Sequence, residues 1–493
     1  MLLLGIDLGT SSIKVSVFDT EKLVTVAQAQ YPDNERSIIS KQQGWAEQSP
    51  EQWWSDVKSA IQKANACTLY NPKDIGAIGI AYQMHGLVCI DKDLHVLRDS
   101  IIWCDSRAVP YGEKAFTDIG EQQCLSCLLN SPGNFTAAKL AWVKENEPAI
   151  YRKIVKIMLP GDFISMKLTG EVSSSVSSLS EGIFWDFKND SLSKEVLDHF
   201  GFDKDIIPDV KEVFSEHGLL TEDIANELSL RAGIPVTYKA GDQPNNALSL
   251  NVLEPGEVAA TAGTSGVIYG VSDQLTFDKE SRVNTFAHVN YSGRKKSLGV
   301  LLCINGVGIL NNWMKNVTSG SSYKEMDMAA AKVQPGSGGV CIIPFGNGAE
   351  RMLQNKNVGA HIHGIDFNMH QTPHLLRAAQ EGVAFAFRYG LDILRENGMH
   401  PAVIRAGRAN MFQSKIFTDT FVNTTNIPIQ LYENDGSVGA AIGAGIGAHV
   451  FSSSEAFKNL QPIEITEPSQ TGRYEEFYNQ WKHYLLQDLA ASG

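Results

Sequence analysis

The chain has 493 residues, 43% hydrophobic and 20% charged, with a formal net charge of −13. That length calls for two to four domains, the simplest division being two of about 250 residues. The acidic balance excludes a sequence-independent grip on nucleic acid, and no run approaches the roughly 18–20 apolar residues of a helical membrane span. The opening MLLLGIDLG lacks a basic region and is interrupted by Asp7, so it reads as a buried strand, and a cytoplasmic protein is expected. Seven cysteines, mostly scattered over apolar segments, fit a reducing compartment. Cys124 and Cys127 form a single C-x-x-C with no second pair and with His361 and His363 remote in sequence, which reads as buried helix cysteines rather than a zinc site.

Residues 3–19, LLGIDLGTSSIKVSVFD, alternate apolar side chains on both sides of Gly9-Thr10-Ser11-Ser12, the pattern of a β-hairpin. An ordinary tight turn is one reading. The other is an anion nest: glycine turns backbone N–H groups inward, the hydroxyls add donors, and Asp7 at the strand exit can hold magnesium through water. A third strand is expected over 23–30. Ser49-Pro50-Glu51-Gln52 then opens a helix, with serine as cap, proline in the first turn and glutamine reaching back, and Trp53, Val57, Ala60, Ile61 and Ala64 form its apolar stripe.

A buried strand over 75–81 empties into Gln83-Met84-His85-Gly86, and further strands over 87–90 and 101–103 lead to Cys104-Asp105-Ser106-Arg107. Polar loops at strand ends are where open α/β sheets bind ligands. Helices dominate over 108–170, and the serine-rich stretch 172–180 reads as a flexible loop. A short strand over 236–240 ends at Gly241-Asp242, where Pro244 is expected to mark an abrupt change of direction.

The hairpin pattern then recurs. VAATAGTSGVIYGV, residues 258–271, places Gly263-Thr264-Ser265 between two strands, with Thr264 lying 254 residues after Thr10. Two such turns half a chain apart suggest related domains facing each other across a nucleotide, and Ala262 in place of Asp7 leaves only one half with a metal-binding acid. Beyond it come a strand over 297–303, a loop at Asn305-Gly306-Val307-Gly308, and a long helix over 372–397 that Gly398 ends. A strand over 403–406 precedes Gly407-Arg408-Ala409-Asn410, the glycine- and alanine-rich stretch 436–450 reads as a closely packed helix, and a final helix covers 474–489.

These motifs, in this order, resemble the FGGY carbohydrate kinases, most closely the xylulokinases. Gly5 to Ser11 resembles the first phosphate motif, Gln83 to Gly86 the ketose loop, and Trp103, Asp105 and Arg107 a Trp-x-Asp-x-Arg substrate motif. Residues 135–142, FTAAKLAW, and 364–382 resemble the two family signatures, while Asp242 falls on the catalytic aspartate and residues 263–266 on the second phosphate motif. The chain departs from the pattern at Asn134, at Cys104 (usually asparagine), at Ser175 and Ser178 (usually acids), and at Arg408, within the glycine-rich adenosine motif.

The resemblance implies an α/β fold of two actin-like (ribonuclease H-like) domains with an ATP/sugar cleft between them, divided as 1–243 on the sugar side and 244–493 on the nucleotide side. It implies ATP-dependent phosphorylation of a ketopentose, D-xylulose to D-xylulose 5-phosphate, with Mg2+ held by Asp7 through water. Asp242 and Asp7 would be catalytic, and Gln83, Met84, His85, Trp103, Asp105 and Asp242 would bind the sugar. Gly9, Thr10, Ser11, Ser12, Gly263, Thr264, Ser265, Gly306, Gly407 and Asn410 would bind the nucleotide, with Arg408 pointing away from the base or stacking on it. A kinase of another sugar or polyol, for instance L-ribulose, and a non-catalytic actin-like ATP switch are the alternatives. The expected partners are a small sugar and ATP, with no nucleic acid and no membrane; oligomeric state is open, a homodimer among the options.

Overall fold

The computed structural model describes residues 1–318 and 322–492. In the first half, β1 (Leu2–Leu8), β2 (Ile13–Asp19) and β3 (Val24–Tyr31) form an antiparallel meander. Helix α1 (Pro50–Asn65) crosses over to β4 (Ile75–Tyr82), which runs parallel to β1. The chain next builds a mainly helical lobe that includes α2 (Thr136–Asn146) and α3 (Val176–Glu181), then returns as β5 (Val236–Gly241), parallel to β4. The sheet order is β5-β4-β1-β2-β3.

The second half opens with α4 (Asp242–Ser249) and the hairpin of β6 (Val258–Ala262) and β7 (Gly266–Ser272). Strands β8 (Asn284–Ala287) and β9 (Leu298–Ile304), helix α5 (Gly308–Val317), strand β10 (Cys341–Phe345) and helix α6 (Thr372–Glu396) follow. Then come β11 (Ile404–Gly407), α7 (Lys415–Thr425), β12 (Ile429–Tyr432), α8 (Gly436–Gly447), β13 (Glu464–Thr466) and α9 (Thr471–Ala491). The second sheet has the order β8-β9-β7-β6-β11-β12-β13. Its stretch β12-β11-β6-β7-β9 reproduces β5-β4-β1-β2-β3 strand for strand and in direction. The half-chain repeat read from the two hairpins is therefore a repeat of a whole sheet, the two-domain actin-like plan.

Local chemistry explains most element ends. Ser49 Oγ accepts the Gln52 N–H, Pro50 occupies the first turn, and the expected stripe of α1 is buried. The Gln52 side chain does not reach back to the cap; it donates to Asp56 Oδ1 at 2.9 Å. Pro244 does not break the chain but sits in the first turn of α4, where its missing N–H would have no helical partner anyway. The serine-rich stretch is not a loop either: Ser173–Ser175 is a strand and α3 follows, both buried. Its hydroxyls stay inside because each finds a partner: Ser174 donates to Asp162 at 2.8 Å, and Ser177 donates to the Ala287 carbonyl at 2.9 Å. Cys124 and Cys127 are buried free thiols on the helix Glu121–Leu128.

Helix α8 belongs to the second half by sequence, yet it lies on the first sheet. Small residues on both surfaces allow backbone to meet backbone. A Cβ at Gly5 would fall 1.8 Å from the Ser437 carbonyl oxygen, one at Gly79 2.0 Å from that of Ala440, and one at Gly447 2.0 Å from that of Thr237. Helix α4 follows directly on β5 of the first sheet and carries Ala247, with Leu250 just past its end, against Ala259, Val267 and Tyr269 of the second sheet.

Overpacking of this kind costs about 1–3 kcal/mol and sometimes more. Gly79→Ala should therefore lower the thermal midpoint by several degrees. Gly472→Ala on α9, where a Cβ would meet nothing within 4 Å, should leave it unchanged or raise it. Differential scanning fluorimetry of the two variants checks the contrast.

Candidate active site

The candidate residues gather at the carboxyl ends of the parallel strands of both sheets. On the first, Gly9–Ser12 turns between β1 and β2 and is held from behind. Gln48 donates to the Thr10 carbonyl at 2.7 Å and accepts from both Gln83 Nε2 and Trp53 Nε1 at 3.0 Å. Thr10 Oγ1 donates to Gln83 Oε1 at 3.3 Å and accepts from Trp103 Nε1 at 3.0 Å. Gln83 is thus buried and engaged at both ends of its amide, a support of the turn where a sugar contact was expected.

On the second sheet, the N–H groups of Gly308 and Ile309 at the start of α5 donate to the Gly263 and Thr264 carbonyls at 2.8 and 3.1 Å, fixing the turn Gly263–Ser265. A Cβ at Gly263 would lie 3.5 Å from Asn410 Nδ2, so the turn and the loop after β11 are neighbours. Gly407 ends β11, and Arg408 beyond it is exposed with Nε 3.9 Å from Glu464, on the edge strand β13. Gly306 is buried, where a Cβ would fall 1.9 Å from the Pro344 carbonyl oxygen, so close packing accounts for that glycine.

Acids gather at the floor. Asp7, near the end of β1, sits so close to Gly436 in the first turn of α8 that a Cβ there would fall 2.3 Å from Asp7 Oδ2. Desolvation, then the charge of the α8 cap Asp435, hold the Asp7 carboxyl up at about 6 against the pull of Lys14. Asp242 opens α4, and desolvation followed by the Asp7 charge raises it to about 7. Carboxyls crowded enough to raise one another suit a divalent cation. Asn245 ties the two floor helices together, donating to the Gly436 carbonyl at 2.8 Å.

The loop after β4 forms the remaining wall. Met84 is buried against Gly241. His85 takes a φ of +62°, and its backbone carbonyl accepts from Lys139 Nζ of α2 at 2.7 Å. Its ring lies against Phe135 at 4.8 Å and Phe286 at 5.4 Å between centroids. Burial, then the Lys139 charge, push the imidazole down to about 3, so it is neutral. Its Nδ1 is 3.1 Å from the Glu181 carbonyl, which can only accept, so the proton resides on Nδ1 and Nε2 keeps a lone pair.

Trp103 is 49% exposed, an open aromatic face beside the Thr10 turn. Asp105 differs from expectation. It is wholly buried, and its carboxylate binds the Arg107 guanidinium, the Arg107 N–H and the Ala46 N–H. The Arg107 guanidinium carbon in turn lies 3.8 and 4.8 Å from the ring centroids of Trp45 and Trp142, which meet edge to face. Asp105 therefore stiffens the loop that carries Trp103 and offers no free oxygen to a ligand. Sequence reasoning missed Asp435 and Gly436, although a helix-capping Asp-Gly step was there to be read. It also missed Glu181, which nothing in the serine run distinguishes.

Two copies of one sheet, each carrying a glycine–hydroxyl turn between its first two strands, with Asp7 and Asp242 crowded at the end of the first, suit a two-domain phosphotransferase. Family comparison agrees. The N-terminal domain of the FGGY family of carbohydrate kinases matches residues 2–249 and its C-terminal domain residues 258–448, so the chain belongs to that family. It is 28% identical to a xylulose kinase of Klebsiella pneumoniae over 470 residues, 94% of this chain and 93% of that one. A xylulose kinase of Escherichia coli K12 is also 28% identical, over 92% of this chain and 90% of its own. A crystal structure of a "xyloylose kinase" from Brucella ovis superposes with a TM-score of 0.91 at 27% identity, covering 100% of both chains. The fold extends to a glycerol kinase of Plasmodium falciparum with ADP, with a TM-score of 0.90 at 20% identity over 99% of this chain and 98% of that one. The protein is an ATP-dependent sugar kinase. Among the described residues no helix is long and apolar enough to cross a membrane.

The crowded acids carry a thermodynamic signature. Asp242 binds its proton more tightly folded than unfolded, so the native state loses stability as pH rises from about 4 to about 7. Asp242→Asn should melt a few degrees above wild type at pH 8 without ligands, with the gap closing toward pH 4. A variant that melts lower at both pH values would make the carboxyl a structural partner.

Proposed function

We propose that this enzyme phosphorylates a ketopentose, D-xylulose at its terminal hydroxyl, to give D-xylulose 5-phosphate. The observation that carries the chemistry is Asp242, at the head of α4, beside the Met84–His85 wall and held at about 7. The substrate assignment draws support from the xylulose kinases among the relatives.

In this reading, backbone N–H groups and hydroxyls of the Gly9–Ser12 and Gly263–Ser265 turns grip phosphate oxygens, while Gly407 and Asn410 face the adenosine and Gly306 packs behind them. Asp7 would hold magnesium through its water shell, and magnesium bound there offsets the charge of the polyphosphate. His85 Nε2 accepts a sugar hydroxyl, Trp103 covers the ring or chain face, and Met84 packs against it. The attacking hydroxyl forms the new O–P bond as the bond between the γ-phosphorus and the β,γ-bridging oxygen breaks. Asp242 takes the hydroxyl proton late in that transfer, so its position matters more than its basicity. The halves divide at 243/244, within the first turn of α4.

A coupled assay of ADP release over D-xylulose, D-ribulose, L-ribulose, glycerol and gluconate tests the assignment. D-xylulose should give the highest kcat/KM, and ADP release without acceptor should be far slower. Another acceptor at the top would replace D-xylulose, and full turnover with no acceptor would favour an ATP switch. Asp242→Asn should lose about 10²–10⁴ in kcat with both KM values within about threefold. The wild-type kcat/KM for sugar should fall tenfold per pH unit below about 7. A folded Asp242→Asn enzyme keeping more than about a tenth of normal turnover would remove Asp242 from the chemistry.

A further inference from the structure

Helix α3 ends on Glu181, whose side chain none of the steps above uses. The residue is only 2% exposed, and among the described residues neither carboxyl oxygen has a hydrogen-bond partner. The Tyr82 hydroxyl is 2.7 Å from Ser178 Oγ, either of which can donate, and Tyr82 and the His85 N–H are the polar groups nearest the carboxyl, neither making a well-formed hydrogen bond to it. His85 Nδ1 lies 3.8 Å from Glu181 Oε2, but its proton goes to the Glu181 backbone carbonyl at 3.1 Å. A Cβ at Gly241 would fall 3.3 Å from Glu181 Oε2 and 2.6 Å from Met84 Cγ. The unpaired carboxyl therefore meets Met84 and His85 one residue before Asp242.

Buried polar groups are almost always paired, because an unpaired one forfeits its hydration with no return. The neighbouring acid and amine show that the local interior can supply partners: Lys239 donates to Asp162 Oδ1 at 2.7 Å, both wholly buried. Glu181 has no such arrangement, and its neighbours are His85 and, beside Gly241, Met84.

We infer that Glu181 is a sugar-binding residue, its carboxyl pairing with an acceptor hydroxyl between the Met84–His85 wall and Asp242, and so fixing which ketose is accepted. The inference rests on this cleft being the sugar site. Burial above all, with the Asp242 charge adding to it, drives the Glu181 carboxyl well up from the usual range, so it is protonated at neutral pH. A neutral carboxyl donates one hydrogen bond and accepts another, which suits a hydroxyl that must do both. A site built to pair a hydroxyl rejects the analogue that lacks or misplaces it, because its own buried group is then left open.

The test uses full-length wild type, Glu181→Gln and Glu181→Leu against D-xylulose, D-ribulose (inverted at C3), L-ribulose (inverted at C4) and 1-deoxy-D-xylulose. Losses are measured on whichever acceptor wild type uses best, so a wrong substrate shows in the wild-type values alone. Glu181→Leu should lose roughly 30–100-fold in kcat/KM for that sugar, with the KM for ATP within about threefold. Glu181→Gln, which still donates and accepts, should keep more than a tenth of the wild-type value.

The deciding quantity is discrimination. Wild type should prefer its best sugar over at least one of the other three by roughly tenfold or more, and in Glu181→Leu that preference should collapse to about threefold or less. The ligand-free melting temperature should hold or rise, since Leu removes an unpaired buried carboxyl. Collapse of discrimination supports the assignment whatever the melting temperature does. Equal losses on all four sugars, or sugar kinetics within about threefold of wild type, overturn it.

Discussion

The architecture depends on one close approach, that of α8 to the first sheet. Gly5 and Gly79 on the strands and Gly443 and Gly447 on the helix strip away side chains until the helix meets backbone and the Tyr238 ring directly. The Ser16 and Ser437 hydroxyls bond at 2.6 Å within that contact. Because α8 arrives from the second half and α4 leaves for it, the halves are joined through crossed helices rather than a single hinge strand. The contact also sets the site. It brings the first turn of α8 against Asp7, while α4 presents Asp242 from the end of the neighbouring strand.

That geometry has an electrostatic consequence. Asp435 crowds Asp7 and Asp7 crowds Asp242, with Lys14 drawn to Asp435 at 3.8 Å. That crowding, with burial, holds the Asp7 and Asp242 carboxyls above their usual range. Glu181 is a further interior carboxyl without a well-formed hydrogen bond. Stability given up at such points is recovered elsewhere, as in the Asp105–Arg107 pair, where the charges are matched and the guanidinium packs on two indole rings.

Much of this was legible in the sequence, and the failures have physical causes. The two hairpins were readable because alternation of apolar residues is a local signal, and their recurrence announced the repeated sheet. The dense glycine and alanine of α8 announced close packing, though not what it would pack against. The serine run misled because its hydroxyls are satisfied by partners far away in sequence, such as the Ala287 carbonyl for Ser177. Asp105 misled because a motif tells which residue is present and not where its carboxylate turns; here Arg107, two residues on, claims it. Gln83 failed in the same way, its amide committed to Gln48 and Thr10. Glu181 was invisible: one acid in a polar stretch acquires meaning only when burial and missing partners are known.

The central claim is that the two sheets assemble one transfer site in which Asp242 faces the acceptor hydroxyl and the two glycine turns face the phosphates. A crystal structure of the enzyme with D-xylulose, magnesium and a non-hydrolysable ATP analogue tests it most directly. The account predicts the sugar's terminal hydroxyl within hydrogen-bond distance of the Asp242 carboxylate, and the terminal phosphate between Gly9–Ser12 and Gly263–Ser265. A sugar bound away from Asp242, or a triphosphate that touches neither turn, would contradict it.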